Sequence, residues 1–374
     1  MSLSTQTDKY VLQICHCYYD PFLDCARQYA VLFKDTPYKV ITVFLSGKAD
    51  PSIAEKACSD DVIFLEYESP QLSGLKINII QKIKKISEHY DFVGCIAHRA
   101  KPTYVALMAT KLPVISIRHS FGDFDRFSRR LLVNLFKSRV TILAVSNAVR
   151  DEIRQHLPKW PNENIETLYN RIDVAEVKTG LLSRTEARKK LNLPADAWIA
   201  GSVGRLHPDK DPKTLIHGFA KALPNLPDNS LLVIIGKGKL ESELKNLINE
   251  LALTEKILLL GQVNEAKQFF RAFDVFALSS DHEPFGMVLL EAMAADLPII
   301  CSDCGGGAEV VENVGLLFRF GDSDALAERL ITILEVSKNN SLTDSIDLKL
   351  NAQFSDIAAK HAFWNLSSIK AIFD

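Results

Sequence analysis

The chain has 374 residues, enough for two domains that each bury a core. With 47% hydrophobic and 24% charged residues it has the make-up of a soluble globular protein, and a net charge of −2 argues against nucleic acid as its main partner. No apolar run reaches the ~18 residues of a membrane span. The first residues lack a signal-peptide core, and seven unevenly spread cysteines predict free thiols in a reducing cytoplasm.

Short apolar runs alternate with segments of helical period almost throughout, the pattern of parallel α/β folds. Strands are predicted at 10–15, 38–45, 62–65, 92–97, 114–118 and 140–145, with helices between them, for example over 77–89 and 103–110. A charged stretch without strand character follows at 173–195 and marks the domain boundary. The pattern resumes with strands at 198–203, 231–235, 257–260, 275–277, 298–301 and 315–318. An amphipathic helix over 354–373, with Phe363, Trp364, Leu366, Ile369 and Phe373, ends the chain. The expectation is two doubly wound domains facing each other across a cleft: residues 1–175 with the terminal helix at about 355–374, and residues 176–354. Ligands of such sheets bind at the C-terminal ends of the strands, so the residues after each strand are the ones to read for chemistry.

Cys15-His16-Cys17 and Cys301-Ser302-Asp303-Cys304 each follow a strand, but neither has the four ligands or the spacing of a zinc site, and both are read as buried or loop thiols. The run Gly204-Arg205-Leu206-His207-Pro208-Asp209-Lys210-Asp211-Pro212 puts two cations five residues apart in a strand-to-helix turn, with Asp211 as cap of a helix over 212–222. Cations there form a natural phosphate clamp; a plain solvated loop is the simpler alternative. In Gly236-Lys237-Gly238 the glycines permit close backbone approach to a ligand, although such a pair also suits an ordinary turn.

The sharpest signal is the run 280–291, SDHEPFGMVLLE, where two carboxylates flank an apolar segment that reads as a buried helix. Buried charge needs a partner. A helix beginning near Pro284, capped by Ser279, Ser280 or Asp281, puts Glu283 at its positive end. It also points the free amides of Phe285, Gly286, Met287 and Val288 at the cleft, with Glu291 about two turns further on. Helix-dipole stabilisation of Glu283 and an internal salt bridge for Glu291 are the plainer readings.

The succession GRLHPDKD, GKG, GQV, SDHEPFGMVLLEAMA and CGGGAEVV resembles the retaining nucleotide-sugar glycosyltransferases of family 4, whose signature is two glutamates separated by seven residues in an E-x-F-G context. The likeness covers most of 198–326, and IRHS (117–120), LAVSNAVRDEI (143–153) and LYNRID (168–173) look like the family's N-terminal segments. It implies the GT-B fold, two Rossmann-like domains with the terminal helix crossing back to an acceptor-binding N-terminal domain. By the same resemblance Arg205 and Lys210 would hold the donor diphosphate. Glu283, with the amides of Phe285, Gly286, Met287 and Val288, would meet the sugar hydroxyls. Glu291 would bind the ribose, Gly261 and Val263 the base through backbone groups, and His119 the sugar and β-phosphate. Neither cofactor nor metal is implied. Two departures stand out: the loop CHCYYDPF after the first strand has no glycine, and Asp296 occupies a helix end that needs positive φ.

The implied donor is a nucleoside-diphosphate sugar of UDP or GDP type. The implied acceptor is a glycan or lipid-linked glycan, in lipopolysaccharide or other cell-surface polysaccharide synthesis in the cytoplasm. Segment 121–142 sets Arg126, Arg129, Arg130, Lys137 and Arg139 among Phe, Leu and Val. It is read as a core helix with a solvated basic face, in preference to a helix lying on the inner membrane surface. A nucleotide-sugar epimerase or hydrolase, or an inactive GT-B scaffold, are the competing functions; the presence of both Glu283 and Arg205 speaks against the last. Neither half has GxGxxG after its first strand, which disfavours a nicotinamide dehydrogenase.

Overall fold

The computed structural model describes residues 8–19, 21–336 and 341–374, which divide into two compact units. One holds the described residues up to Asn170 together with Asp356–Asp374; the other is Arg171–Ser355.

In the first unit β1 (Lys9–Cys15), β2 (Tyr38–Phe44), β3 (Asp61–Phe64), β4 (Phe92–His98), β5 (Val114–Arg118), β6 (Val140–Ala144) and β7 (Ile165–Thr167) form one parallel sheet, ordered β3-β2-β1-β4-β5-β6-β7. Five-residue runs such as Val11–Cys15 and the whole of β5 are buried, as strands covered on both faces must be. Sequence periodicity missed β7, because three residues at a sheet edge carry too little pattern. The order reverses between β1 and β4, where Gln13 lies beside Ile96 and Ile14 beside Ala97.

The terminal segment belongs to this unit as two helices, Asp356–Asn365 and Ser367–Phe373, rather than one. The extended Leu366 between them turns the chain so that Phe363 and Phe373 both pack against Phe33. Trp364 Nε1 donates to the carbonyl of Leu32 at 2.9 Å, and Arg27 pairs with Asp356 at 2.8 Å.

In the second unit β8 (Ile199–Val203), β9 (Leu231–Ile235), β10 (Ile257–Gly261), β11 (Val275–Leu278), β12 (Ile299–Ser302) and β13 (Leu316–Phe318) are again all parallel, ordered β10-β9-β8-β11-β12-β13. The charged stretch before β8 forms two short helices, Val174–Gly180 and Arg184–Lys190, the second opened by a Ser183/Glu186 capping box. Asp211 caps the Pro212–Ala222 helix by accepting from the amide of Thr214, and Asp296 sits at φ 61, both as expected.

The 121–142 segment departs from expectation. Its helix is only Phe127–Leu135, and of these residues Val133 alone is buried. Phe127, Leu131 and Leu135, four residues apart in turn, are 69%, 47% and 71% exposed. Arg129 and Arg130 fold back onto the carbonyls of Asp123, Phe124 and Asp125, and Arg139 reaches those of Leu107 and Thr110. Three of the guanidinium groups thus satisfy neighbouring carbonyls, and the helix leaves an apolar row, Phe127, Leu131 and Leu135, to solvent beside exposed Arg126. Among the described residues no helix is long and apolar enough to cross a membrane.

Candidate active site

In the second unit the strand order reverses between β8 and β11, which is where open α/β sheets leave a crevice beyond the strand ends. The loops leaving these two strands carry Arg205, Lys210 and Glu283. They are stitched together: Ser279 Oγ reaches the carbonyls of Lys210 and Asp211 at 2.9 Å each, and the amide of Asp281 donates to Asp209 at 3.0 Å. From the end of β12, Ser302 Oγ donates to the Ser280 carbonyl at 2.6 Å. With both backbones held, Lys210 Nζ lies 2.5 Å from Glu283 Oε2, and Ser280 Oγ donates to the same oxygen at 3.3 Å. Neither contact falls on Oε1. Glu283 is only 8% exposed, so the cation is what makes its burial tolerable.

The helix carrying Glu291 begins at Met287, not near Pro284, and Gly286 at φ 93 precedes it without a side-chain cap. Glu283 therefore lies in the loop before the helix, its carbonyl accepting from the amide of Gly306 at 2.8 Å. A Cβ on Gly286 would come within 2.8 Å of Leu289 and 3.3 Å of Glu283 Cγ. Only glycine lets the chain turn this closely beneath the carboxylate. Met287 and Val288 open the helix, whereas the amide of Leu289 already bonds Gly286. The Phe285 ring is buried edge-on against Phe354, so it anchors the loop and leaves only its backbone for a ligand. Glu291 is half-buried one turn into the helix, about 6 Å along the axis from Met287.

Arg205, 69% exposed, pairs with Asp209 Oδ2 at 3.0 Å, and His207 Nδ1 lies 2.5 Å from Asp209 Oδ1. Asp209 was not singled out in the sequence, since nothing in its spacing separates it from an ordinary loop acid. Gly236 corrects another expectation: its amide is not open to a ligand but donates to Gly261 at 2.8 Å. A Cβ on Gly236 would stand 1.8 Å from the Gly204 carbonyl oxygen, so the glycine is needed for loop-on-loop packing. The Leu206 amide bonds Lys237 at 3.0 Å, which ties the loops after β8, β9 and β10 into one surface. Gly261 takes φ 70 at the end of β10, followed two residues on by half-buried Val263.

In the first unit His119 follows β5 directly. Its Nε2 lies 3.2 Å from His98 Nδ1 and its Nδ1 3.8 Å from Cys25 Sγ. Burial, reinforced by His98, Arg99 and Arg118, holds its pKa well below the usual imidazole range, so the ring is neutral. The cysteines are free thiols, and burial pushes Cys15 and Cys301 well up. One metal-spaced group occurs among the described residues: Asp125, Glu152 and His156 keep their ligand atoms within 4.8 Å of one another. Glu152 also accepts the Gly122 amide at 2.8 Å, so the group ties down the loop after His119.

Residues 39–176 match the family described as Glycosyltransferase Family 4, and residues 183–348 match Glycosyl transferases group 1. The N-acetylgalactosamine-N,N'-diacetylbacillosaminyl-diphospho-undecaprenol 4-alpha-N-acetylgalactosaminyltransferase of Campylobacter jejuni is 30% identical over 321 residues, 80% of this chain and 83% of its own. The UDP-Gal:alpha-D-GlcNAc-diphosphoundecaprenol alpha-1,3-galactosyltransferase of Escherichia coli is 27% identical over 276 residues, 69% and 70% of the two chains. Among solved structures, a glycosyltransferase from Rickettsia africae has a TM-score of 0.83 over 98% of this chain and 99% of its own, at 17% identity. Anabaena HepE, solved with UDP, has a TM-score of 0.77 over 95% and 98%, at 21% identity. The chain thus belongs to the family 4-like glycosyltransferases and has the GT-B fold.

The Lys210–Glu283 contact has a measurable signature. Lys210→Met leaves a nearly buried carboxylate without its cation and is expected to cost about 1–3 kcal/mol, most of which Glu283→Gln recovers in the same background. Denaturant unfolding of the four proteins of the cycle gives the coupling; purely additive losses would show that the pair holds nothing.

Proposed function

We propose that the protein transfers a sugar from a nucleoside-diphosphate sugar to a lipid-linked or glycan acceptor, with retention at the anomeric carbon and without a metal. The observation that carries this reading is Lys210 seated on Glu283 Oε2 where the second sheet reverses order. Diphosphate oxygens compete for Lys210 and Arg205, which now sit on carboxylates. Glu283 keeps Oε1 for the sugar hydroxyls, beside the leading amides of the Met287–Ala294 helix. Glu291 is assigned to the ribose, the backbone at Gly261 and Val263 to the base, and His119 to the sugar. Gly236 serves through close backbone packing.

In the reaction the bond between the anomeric carbon and the phosphate oxygen breaks, and its electron pair leaves with the diphosphate. The acceptor hydroxyl oxygen bonds to the carbon on the face just vacated, and its proton passes to the departing phosphate. Fixed cations stabilise the charge growing on that phosphate more than they stabilise the intact donor. The relatives from Campylobacter jejuni and Escherichia coli have acceptors named as diphospho-undecaprenol glycans. An acceptor of that kind fits assembly of a surface polysaccharide or lipopolysaccharide at the cytoplasmic face of the membrane. The exposed row Phe127, Leu131 and Leu135, beside exposed Arg126, suits peripheral contact with an anionic bilayer there.

With a panel of UDP- and GDP-sugars and a diphospho-undecaprenol glycan, transfer is expected to proceed in EDTA and to give the anomer of the donor. At saturating donor, Arg205→Ala and Lys210→Ala should each lower kcat by about 10²–10³ while circular dichroism stays native. Near-normal kcat, an inverted product or a strict need for Mn²⁺ would contradict the reading. For the membrane contact, co-sedimentation with phosphatidylglycerol vesicles should weaken with salt and be largely lost in Phe127→Ser/Leu131→Ser/Leu135→Ser. Equal recovery with phosphatidylcholine vesicles would speak against it.

A further inference from the structure

The reversal of strand order in the first sheet, between β1 and β4, holds a second polar cluster. Gln13 on β1 and His98 at the end of β4 are 0% and 2% exposed, deep among apolar side chains. Gln13 Nε2 stands 3.1 Å from the carbonyl of Ala26 and 2.8 Å from Thr42 Oγ1, and its Oε1 3.3 Å from His98 Nε2. His98 Nδ1 then meets His119 Nε2, and His119 Nδ1 meets Cys25 Sγ. Hydrogens in such a chain are assigned by who can accept, and here one end is unambiguous.

The Ala26 carbonyl can only accept, so the amide atom facing it is the nitrogen and the oxygen faces His98. A carbonyl oxygen has no proton to give, so His98 carries its proton on Nε2. As a neutral ring it is bare at Nδ1 and accepts from His119 Nε2–H. His119, neutral in turn, is bare at Nδ1 and takes the Cys25 thiol proton as its weak partner. A cationic His98 would reverse the order, which its burial at 2% exposure disfavours, and burial, reinforced by His98, Arg99 and Arg118, holds His119 neutral.

We infer that Gln13 and His98 are positioning residues that lock His119 in the Nε2–H tautomer, so that Nδ1 meets an incoming ligand as a hydrogen-bond acceptor. A phosphate oxygen has no proton for such an atom at neutral pH, whereas a sugar hydroxyl has. This narrows the expectation for His119, which included the β-phosphate: the relay selects a hydroxyl, and Cys25 holds its place until it arrives. The inference rests on the reading of His119 as a sugar-side residue of the proposed transferase.

Nitrogen-15 NMR of the imidazole rings in the full-length, ligand-free protein reads the tautomers without activity. Both His98 and His119 are expected as Nε2–H; an Nδ1–H or cationic His119 at neutral pH overturns the inference. Gln13→Met should mix the His119 tautomers and lower kcat/KM for the donor by about tenfold, the worth of one hydrogen bond. Gln13→Glu sets a carboxylate against His98 Nε2, which favours a cationic His98 that donates from Nδ1, and should shift His119 to the Nδ1–H form. A merely structural Gln13 would leave the tautomer of Gln13→Met unchanged, which also overturns the inference. Full activity of His119→Ala with the UDP- and GDP-sugar panel would overturn it too while the transferase reading stood; absence of transfer by the wild type would strike that reading instead.

Discussion

The ion pair between Lys210 Nζ and Glu283 Oε2 takes a carboxylate almost entirely out of water, which costs several kcal/mol unless a cation and hydrogen bonds go with it. The two residues are 73 positions apart and meet because two loops share hydrogen bonds through Ser279, Asp281 and Asp209. Ser280 bonds the same carboxylate oxygen, and Gly286 and Gly307 leave room for its methylenes, each with a virtual Cβ 3.3 Å from Glu283 Cγ. Remove the cation, and each of these close contacts surrounds an unpaired charge.

The same arrangement explains how a cluster of charge can wait for a ligand without collapsing. Lys210 rests on Glu283, and Arg205 and His207 rest on Asp209. Lys210 and Arg205 each have an internal partner that the donor diphosphate would replace in the proposed reaction. Exchange of this kind would keep the net cost of binding low and reserve the strongest electrostatic contact for the charge that grows as the glycosidic bond breaks. The first unit uses a different device at its own strand reversal, a neutral relay from Gln13 to Cys25 in which burial selects tautomers rather than charges.

Much of this could be read in the sequence because β strands buried on both faces are apolar runs bounded by the loops that matter. All six strands of the second unit and six of seven in the first stand within a residue or two of their predicted places. Capping by Asp211 and the positive φ of Asp296 also follow from local chemistry. What periodicity could not show was how side chains choose among partners. It placed Pro284 inside a helix that begins at Met287, left the Gly236 amide open although Gly261 takes it, and assigned Arg129, Arg130 and Arg139 to solvent although neighbouring carbonyls hold them. Gln13, His98 and Cys25 were invisible for the same reason: three separate elements bring them together, and a glutamine inside an apolar strand carries no pattern of its own.

Transfer by the proposed route requires the donor's diphosphate to take Lys210 from Glu283. The Nζ resonance of Lys210 in protein labelled with 15N-lysine, identified by its absence in Lys210→Arg, reports that exchange directly. In the free protein it should show a slowly exchanging ammonium bonded to a carboxylate. Titration with UDP and with GDP should move it, for whichever nucleotide binds, in step with the shift of the nucleotide β-phosphorus. A nucleotide that saturates the protein by calorimetry and leaves the Lys210 resonance where it was would contradict the account.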